Sequence, residues 1–374
     1  MKKIGIVGGG QLGRMLTQAA RPLGFYVSVL DPTPNGPAGL VADKQIVADF
    51  KDEASIEKLA GTVDFLTFEI ELAAAGVLDK LQKSGVSVNP TGETLSIIKD
   101  KLKQKNFLRE NKIPVADFVE VSNREDIERV AEILKYPIIL KARFDAYDGR
   151  GNALIETRDD INDALEKLRG RKLYVEKFIS FQKELAVVAV RGMDGTVVTY
   201  PTVETIHKNN ICHIVVVPAP IDSKVSQAAH QLTKEILTHL GGAGVFGIEM
   251  FLTNDSEILI NEIAPRVHNS GHHTIESSYT SQFEQHIRAI TGMPLGDTNL
   301  KVKHAVMINI LGNRTGPAKP TGVNEACSLR GVTVHIYGKI ETRPERKMGH
   351  ITAVAETAYD AMKLASHARE MITI

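Results

Sequence analysis

The sequence has few residues that would cross-link the chain, span a membrane or attract a polyanion. Its two cysteines, Cys212 and Cys327, lie far apart, which argues against a disulfide framework and favours the reducing cytoplasm. Lysine plus arginine and aspartate plus glutamate each number 45, so the net charge is zero and bulk binding to nucleic acid or anionic membranes is not expected. No apolar run approaches the roughly 20 residues of a membrane helix.

Several sequence signatures are missing as well. The start, Met1-Lys2-Lys3, leads straight into a short strand and a glycine loop, which does not fit a signal peptide. The nucleotide-binding signature G-x-x-x-x-G-K-[ST] does not occur, and neither do long repeats or low-complexity tracts. The remaining composition, 43% hydrophobic and 24% charged over 374 residues, predicts a soluble globular protein of two or three domains.

The amino-terminal segment predicts a βαβ unit with a glycine loop. Residues 3–30 have the pattern of strand, helix and strand, and the loop matches G-x-G-x-x-G at Gly8, Gly10 and Gly13. Asp31 follows the second strand. Such a loop offers backbone N–H groups and the positive end of a helix to a phosphate. The loop alone is a weak signal, and it indicates an anion more reliably than it indicates NAD.

A further strand, over residues 63–68, ends at two acids, Glu69 and Glu71. In doubly wound sheets, ligands bind outside the carboxyl ends of the strands. Glu69 is the better placed of the two, whereas Glu71 is equally consistent with a surface-loop acid.

A lysine-rich helix is predicted over residues 95–111. We expect its lysines to form mostly a solvated face, with one of them at most turned inwards. These lysines are Lys99, Lys101, Lys103 and Lys105.

A second group of candidate residues follows an apolar strand that ends at Lys141. The next loop contains Ala146, Tyr147, Asp148, Gly149, Arg150, Gly151 and Asn152. An ammonium group at a strand end, glycines that let the backbone approach and an arginine donor together suit nucleotide phosphates. The alternative is an ordinary surface hairpin with an Asp-Gly turn.

Segments further along supply candidates for binding the rest of a nucleotide. The strand over residues 173–179 ends in a stretch suited to an adenine hinge, and Glu184 opens the next strand. His207 lies between two further predicted strands and is equally consistent with a plain loop histidine.

The segment over residues 247–266 predicts a β-hairpin, because two apolar runs flank a polar turn. With a two-residue turn at Asp255-Ser256, Glu249 pairs with Glu262. Directly opposed side chains have Cβ atoms about 4.5–5.5 Å apart, so the two carboxylates would repel each other. Magnesium, which takes one or two carboxylates plus substrate phosphates, would compensate this repulsion. An exposed hairpin with two solvated acids is the alternative.

The stretch after the hairpin is polar and rich in histidine. The spacing of His268 and His272 resembles that of a zinc helix. Pro265 and the Asn269-Ser270-Gly271 run predict a loop instead, which would suit an anionic substrate.

Beyond Gly292 the pattern changes to a small α+β unit. Its basic residues include Lys339 and the pair Arg346-Lys347, which precedes a predicted strand. Such a pair is usually solvated, but here it is also placed to point into a cleft.

These residues resemble two nested families. Lys141, the loop after it, Glu249 and Asn261-Glu262 together resemble an ATP-grasp enzyme. The run NEIAPRVHNSGH over residues 261–272, GGGQLG over residues 8–13 and RKMGH over residues 346–350 resemble the N(5)-carboxyaminoimidazole ribonucleotide synthetases of purine biosynthesis. The resemblance covers the whole chain, with the motifs in family order.

The resemblance implies a fold of α/β and α+β parts. It implies a Rossmann-like domain over residues 1–98, an ATP-grasp domain over residues 99–296 and a small α+β domain over residues 297–374. It also implies a cytoplasmic homodimer that joins ATP, bicarbonate and 5-aminoimidazole ribonucleotide with the help of Mg²⁺, and that releases ADP and phosphate.

The resemblance further implies roles for individual residues. The contacts implied for ATP are Lys101, Lys141, Ala146, Tyr147, Asp148, Gly149, Arg150, Gly151, Asn152, Glu176, Lys177, Phe178, Ile179, Glu184, His207, Asn261 and Glu262. Those implied for the ribonucleotide are Gln11, Leu12, Glu69, Asn269, Lys339, Arg346 and Lys347. The implied magnesium ligands are Glu249 and Glu262.

The chemistry itself has its own candidate residues. They are Tyr147, Asp148, Arg150, Arg266, His268 and Lys347. Asp148 is the first candidate for the proton acceptor and His268 the second. The loop over residues 146–152 is expected to close over the phosphates and exclude water.

Three other functions remain open at this point. A formate-using glycinamide ribonucleotide transformylase is the nearest, although Asn269-Ser270 stands where an Asp-Thr pair is expected. Biotin carboxylase shares the ATP-grasp but leaves the ribonucleotide motifs without a purpose. A dinucleotide-binding oxidoreductase or sensor rests on the glycine loop alone and leaves Glu249 and Glu262 unexplained.

Overall fold

The computed structural model describes residues 1–145 and 151–374, and its amino-terminal part is a parallel sheet covered by helices. The strands of this part are β1 (Lys3–Val7), β2 (Tyr26–Leu30), β3 (Lys44–Ile46), β4 (Phe65–Phe68) and β5 (Ser87–Val88). The helices are α1 (Gln11–Ala20), α2 (Glu53–Ala60), α3 (Ala75–Lys83) and α4 (Gly92–Lys99). The strand order β3-β2-β1-β4-β5 reverses beside β1, as in doubly wound nucleotide-binding folds. The loops after β1 and β4 therefore meet.

A small antiparallel sheet follows in the chain. Its strands are β6 (Phe118–Val121), β7 (Ile138–Ala142), β8 (Asn152–Ile155) and β9 (Leu173–Lys177). The helices of this part of the chain are α5 (Lys101–Glu110), α6 (Arg124–Leu134) and α7 (Ile161–Lys167). The strand order is β6-β9-β7-β8, and α6 and α7 bury their apolar faces against the sheet. The segment between β7 and β8 includes residues 146–150, which lie outside the described residues.

A large antiparallel sheet forms the rest of the protein. Its strands are β10 (Phe181–Arg191), β11 (Val197–Thr199), β12 (Val203–Lys208), β13 (Ile211–Val217), β14 (Gly244–Thr253), β15 (Ile258–Ala264), β16 (His304–Leu311), β18 (Val332–Ile336) and β20 (Lys347–Ala355). Two further strands, β17 (Gly316–Pro317) and β19 (Glu341–Thr342), form a separate two-stranded sheet. The helices of this part are α8 (Ser223–Leu240), α9 (Thr274–Ser277), α10 (Gln282–Thr291), α11 (Val323–Cys327) and α12 (Ala358–Met371).

The carboxyl-terminal strands extend the large sheet rather than form a sheet of their own. The order is β15-β14-β10-β12-β13-β16-β20-β18, and β16 pairs directly with β13. The amino-terminal part is tied to the same body, because the core around Leu16 of α1 includes Phe283 and Ile287 of α10 and Tyr337. Side chains after β1, β4, β15 and β18 can therefore meet across these contacts. Among the described helices, none is both long and apolar enough to cross a membrane.

The hairpin β14–β15 carries the predicted pair of acids, although the predicted turn is wrong. The turn has three residues, 254–256, closed by the Thr253 N–H donating to the Glu257 carbonyl at 2.9 Å, and Ser256 has φ of 63°. A bulge follows, where Asn261 is the extra residue of β15. Turn and bulge compensate each other, so the predicted pairing of Glu249 with Glu262 is confirmed.

The lysine-rich helix is broken where one helix was predicted. Asp100 separates α4 from α5 and caps α5 by accepting hydrogen bonds from the N–H groups of Leu102 and Lys103. The same carboxylate binds the Arg143 guanidinium at 2.6 and 3.1 Å. An aspartate at this position caps a new helix instead of continuing the old one. It also fixes the start of α5 against the end of β7.

Candidate functional site

The glycine loop does not present its N–H groups openly. The Glu69 carboxylate accepts hydrogen bonds from the N–H groups of Gly10 (2.7 Å) and Gly13 (3.3 Å), and Asp31 accepts one from Gly9 (2.8 Å). These three N–H groups therefore have carboxylate partners within the protein, and binding of a phosphate by this loop stays a prediction. Asp31 is also the acid that a dinucleotide ribose would need. Burial raises the pKa of Glu69 to about 7, although the Gly10 N–H opposes that shift.

Two predicted substrate residues lie beside this loop. Gln11 opens α1 and is partly exposed, whereas the Leu12 side chain is 7% exposed and packs in the core with Ile4 and Val267. A contact from Leu12 to a ligand would therefore come from its backbone N–H group.

The paired acids of the hairpin each face a basic side chain. Lys101 Nζ lies 2.5 Å from Glu262 Oε1, and His268 Nε2 lies 3.3 Å from Glu249 Oε1. Burial raises the pKa of Glu249, but the hydrogen bond and charge of His268, helped by His207 and Lys101, lower it to about 2. Glu262 therefore pairs with the Lys101 ammonium and Glu249 with the His268 ring, and Glu249 is ionised at neutral pH.

Glu71 belongs to this cluster, although the sequence left it open as a surface acid. Its Oε1 lies 3.1 Å from Nη2 of Arg266, and both side chains are largely buried. Burial alone would raise the pKa of Glu71, but Arg266, with Lys101 and His268 nearby, lowers it. The signal that could have identified it is its place just beyond the carboxyl end of a strand.

Two lysines of α5 point inwards, so the expectation of one at most is wrong. The side chains of Lys101 and Lys105 are 11% and 3% exposed. Lys105 Nζ lies 3.1 Å from Glu176 Oε1, and Lys141 Nζ lies 3.1 Å from Glu176 Oε2. Sequence reasoning missed Lys105, although its spacing of four residues from Lys101 puts both on one helix face.

The strand end that was expected to hold adenine has one buried acid and an open continuation. Because two lysines bind the Glu176 carboxylate, only the backbone of Glu176 is available to an adenine base. Lys177 and Phe178 are exposed, and Ile179 is partly exposed. Glu184 accepts a hydrogen bond from His207 Nδ1. Burial lowers the pKa of His207, but Glu184 outweighs it, so the pKa is raised.

The loop that was predicted to close over the phosphates is only partly described. Ala146, Tyr147, Asp148, Gly149 and Arg150 lie outside the described residues. Asn152 begins β8 and pairs with Lys141, and Gly151 precedes that strand, with its carbonyl accepting from the Ala142 N–H.

The basic residues of the carboxyl-terminal part gather at the start of β20. Lys339 Nζ donates to the Lys347 carbonyl at 2.6 Å, and Arg346 donates to the Glu341 carbonyl at 2.6 Å. Burial lowers the pKa of Lys339 to about 7; Arg346 adds to this shift and Glu69 opposes it. The influence of Glu69 on Lys339 supports the prediction that the residues after β4 and β18 share one site.

Asn269 is held by Asn309, a residue that the sequence did not single out. Its amide and that of Asn309, which is fully buried on β16, donate to each other at 3.1 and 2.7 Å. His268 is held in turn, since its backbone N–H donates to Gln282 Oε1 at 2.9 Å. The prediction of a loop is wrong in detail, because Asn269–Gly271 forms one short turn of 3₁₀ helix that the His268 side chain caps.

Comparison with known proteins covers the whole chain. Three family descriptions match: Ribonucleotide synthetase preATP-grasp domain over residues 1–99, ATP-grasp domain over residues 106–283, and Phosphoribosylaminoimidazole carboxylase C-terminal domain over residues 305–363. Phosphoribosylaminoimidazole carboxylase of Candida albicans is 43% identical over 376 residues, which span 98% of this chain. The chain spans 66% of that protein's length, just under two thirds.

Solved structures of similar length show the same architecture. N5-carboxyaminoimidazole ribonucleotide synthetase from Thermotoga maritima is 44% identical, with a TM-score of 0.91 over 100% of this chain and 99% of that one. N5-carboxyaminoimidazole synthase from Aspergillus clavatus, in complex with ADP and 5-aminoimidazole ribonucleotide, is 37% identical, with a TM-score of 0.92 over 99% and 98%. The expected Rossmann-like, ATP-grasp and carboxyl-terminal parts are confirmed. The chain belongs to the N5-carboxyaminoimidazole ribonucleotide synthetase family of ATP-grasp enzymes.

Proposed function

We propose that this chain carboxylates 5-aminoimidazole ribonucleotide with bicarbonate at the expense of ATP, giving N5-carboxyaminoimidazole ribonucleotide, ADP and phosphate. The observation that carries the proposal is the pairing of Glu249 with Glu262 beside Lys101. This pairing supports binding of a metal–triphosphate complex, because acidic and basic groups lie side by side there. The similar Aspergillus clavatus structure contains both ADP and 5-aminoimidazole ribonucleotide, which supports the same two ligands here.

The facing carboxylates fit a magnesium ion. Magnesium takes oxygen ligands, commonly one or two carboxylates together with phosphate oxygens, and two adjacent strands present Glu249 and Glu262 side by side. When bound, magnesium neutralises charge on the phosphate oxygens of the nucleotide. In the protein alone Lys101 pairs with Glu262 and the His268 ring faces Glu249, so we propose that Lys101 turns from Glu262 towards the phosphates as the metal binds.

The chemistry requires that bicarbonate be made into an electrophile. The ion is negatively charged and its carbon lacks a good leaving group, so it is a poor electrophile. Transfer of the terminal phosphoryl group from ATP to a bicarbonate oxygen gives carboxyphosphate and ADP. The amine of the ribonucleotide then attacks the carbon, the carbon–oxygen bond to phosphate breaks, and a base takes a proton from the nitrogen. We propose that Lys141 and Arg266, with Arg150 in the loop, stabilise the charge that moves along the phosphates.

The proton acceptor is proposed from the same loop. His268 Nδ1 lies 2.8 Å from Ser270 Oγ, and its Nε2 faces Glu249, so both ring nitrogens have partners. We therefore propose Asp148 ahead of His268, with Tyr147 orienting the amine. We also propose a cytoplasmic homodimer, as the family resemblance implies, and sedimentation velocity tests the dimer.

Phosphate release with different acceptors tests the proposed reaction. We expect release from ATP that depends on both bicarbonate and 5-aminoimidazole ribonucleotide. Formate with glycinamide ribonucleotide, or bicarbonate with biotin, should give no more phosphate than ATP alone. Release that requires either of these acceptors would replace the proposal with the corresponding transformylase or carboxylase.

The pH dependence of ribonucleotide use follows from Lys339. With a pKa of about 7, lowered by burial, Lys339 carries its charge below pH 7 and loses it above. The substrate phosphate is a dianion above about pH 6, so attraction between the two weakens as the pH rises past 7. We expect kcat/KM for the ribonucleotide to fall by up to about tenfold per pH unit above pH 7.

A Lys339→Met variant provides the control for that profile. It should lose the falling limb while keeping any rise caused by ionisation of Glu69, whose pKa is also about 7. An unchanged falling limb in Lys339→Met would exclude Lys339 as its source.

A further inference from the structure

Lys105 makes a buried ion pair inside the proposed nucleotide site. Its ammonium group lies 3.1 Å from Glu176 Oε1 and 3.3 Å from the Ile260 carbonyl, and the two side chains of the pair are 3% and 2% exposed. Burial lowers the pKa of Lys105, and Glu176 opposes that shift. A buried ion pair is costly to form, and apolar side chains of similar volume often stabilise a fold as well or better. Fold stability alone therefore does not account for this pair.

The Glu176 carboxylate is shared between two lysines. Its Oε2 lies 3.1 Å from Lys141 Nζ, and β7 and β9 are neighbouring strands that set this distance. The Lys141 side chain is 13% exposed and that of Lys105 is 3% exposed, so Lys141 is the more accessible of the two lysines. Two positive charges on one carboxylate leave a net charge of +1, which Lys141 can present to an anion.

We propose that Lys105 is a positioning residue that holds Glu176 and so keeps Lys141 available to the nucleotide phosphates. The proposal rests on the proposed function for its ligand, ATP. Without the Lys105 charge, the whole carboxylate charge of Glu176 acts on Lys141. Lys141 is then drawn into a one-to-one pair and its attraction for phosphate is largely cancelled. Lys105 itself touches neither nucleotide nor ribonucleotide.

Lys105→Met tests this role, with Lys103→Met as the matched control on the exposed face of the same helix. We expect the dissociation constant of magnesium–ATP, measured by calorimetry, to rise about tenfold in Lys105→Met, equivalent to ~1.4 kcal/mol. The Michaelis constant for ATP should rise in parallel, while that for the ribonucleotide stays unchanged. Lys103→Met should match the parent protein. A merely structural role would lower the amount of active protein and leave both constants unchanged, and that result would overturn the proposal.

A variant cycle with Glu176→Gln tests whether Lys105 acts through Glu176. Once residue 176 is neutral, the Lys105 charge no longer has a carboxylate to pair with. The dissociation constant of magnesium–ATP in Lys105→Met/Glu176→Gln should therefore lie within about twofold of that in Glu176→Gln alone. A tenfold difference between these two would contradict the proposal, even if Lys105→Met alone does not fold. Calorimetry needs no ribonucleotide, so this outcome is separate from the acceptor assay. If phosphate release did not depend on bicarbonate and 5-aminoimidazole ribonucleotide, the proposed carboxylation would be wrong, but the comparison of magnesium–ATP binding in the Lys105 variants would remain valid.

Discussion

Glu262→Gln should keep the fold and lose nearly all ATP turnover. The change removes one of the two facing carboxylates and with it half of the charge offered to magnesium. Loss of one fixed electrostatic group at a reacting centre typically costs about 10²–10³ in kcat, and we expect a loss of at least about a hundredfold. Steady-state phosphate release at saturating ATP, bicarbonate and ribonucleotide measures the effect.

The expected stability of this variant follows from the same contacts. Glu262→Gln removes the repulsion with Glu249 but leaves Lys101 without its carboxylate partner at 2.5 Å. These effects oppose each other, so we expect a Tm within about 3 °C of the parent protein.

Glu257→Gln is the matched control, because Glu257 lies on the same hairpin but is exposed. It should leave turnover unchanged. If Glu262→Gln kept near-normal turnover in saturating magnesium, the two-carboxylate metal site would be wrong.

Lys347→Ala should weaken use of the ribonucleotide by roughly ten- to a hundredfold and leave ATP almost unaffected. Lys347 opens β20 beside Lys339 and Arg346; burial lowers the pKa of both Lys339 and His272, and the charge of Lys347 adds to each shift. A charge-assisted bond to phosphate is worth about 1.5–3 kcal/mol, and each 1.4 kcal/mol or so is tenfold in affinity. Because three of the glycine-loop N–H groups are occupied by Glu69 and Asp31, these basic residues carry most of the phosphate binding in our account.

The measurement is the Michaelis constant of each substrate at fixed salt. Lys363→Ala, an exposed change on α12, is the control for loss of one positive charge from the same part of the chain. An equal rise of both constants in Lys347→Ala, or a rise for ATP alone, would show that this residue does not hold the ribonucleotide phosphate.

Elements with strong local signals could be predicted closely. The bounds of helix α8 can be read from the sequence, because Asp222 caps its start and its apolar residues recur with helical spacing. The same holds for α10, which runs from the Ser281 cap to Gly292 in the left-handed region. The capping residues lie next to each helix in the sequence, so the helix ends can be predicted from the local sequence pattern.

The electrostatics of the site depend on contacts between distant residues and could not be predicted in the same way. Glu69 reaches the Gly10 N–H from 59 positions away, and Lys105 reaches Glu176 from 71 positions away. No local sequence pattern indicates that a carboxylate of the same protein will bind the N–H groups of the glycine loop. The pairing of Glu249 with Glu262 was predicted with a turn one residue too short, and it holds because the bulge at Asn261 restores the register.

The most direct test of the central claim is the fate of an oxygen atom of bicarbonate. If ATP phosphorylates bicarbonate before the amine attacks, the bridging oxygen leaves with the phosphate. The reaction is run with ¹⁸O-labelled bicarbonate, 5-aminoimidazole ribonucleotide and ATP, faster than the label exchanges with water, and the phosphate is analysed by mass spectrometry. We predict one ¹⁸O atom in each phosphate released. Unlabelled phosphate, formed while the carboxylated product accumulates, would contradict the account.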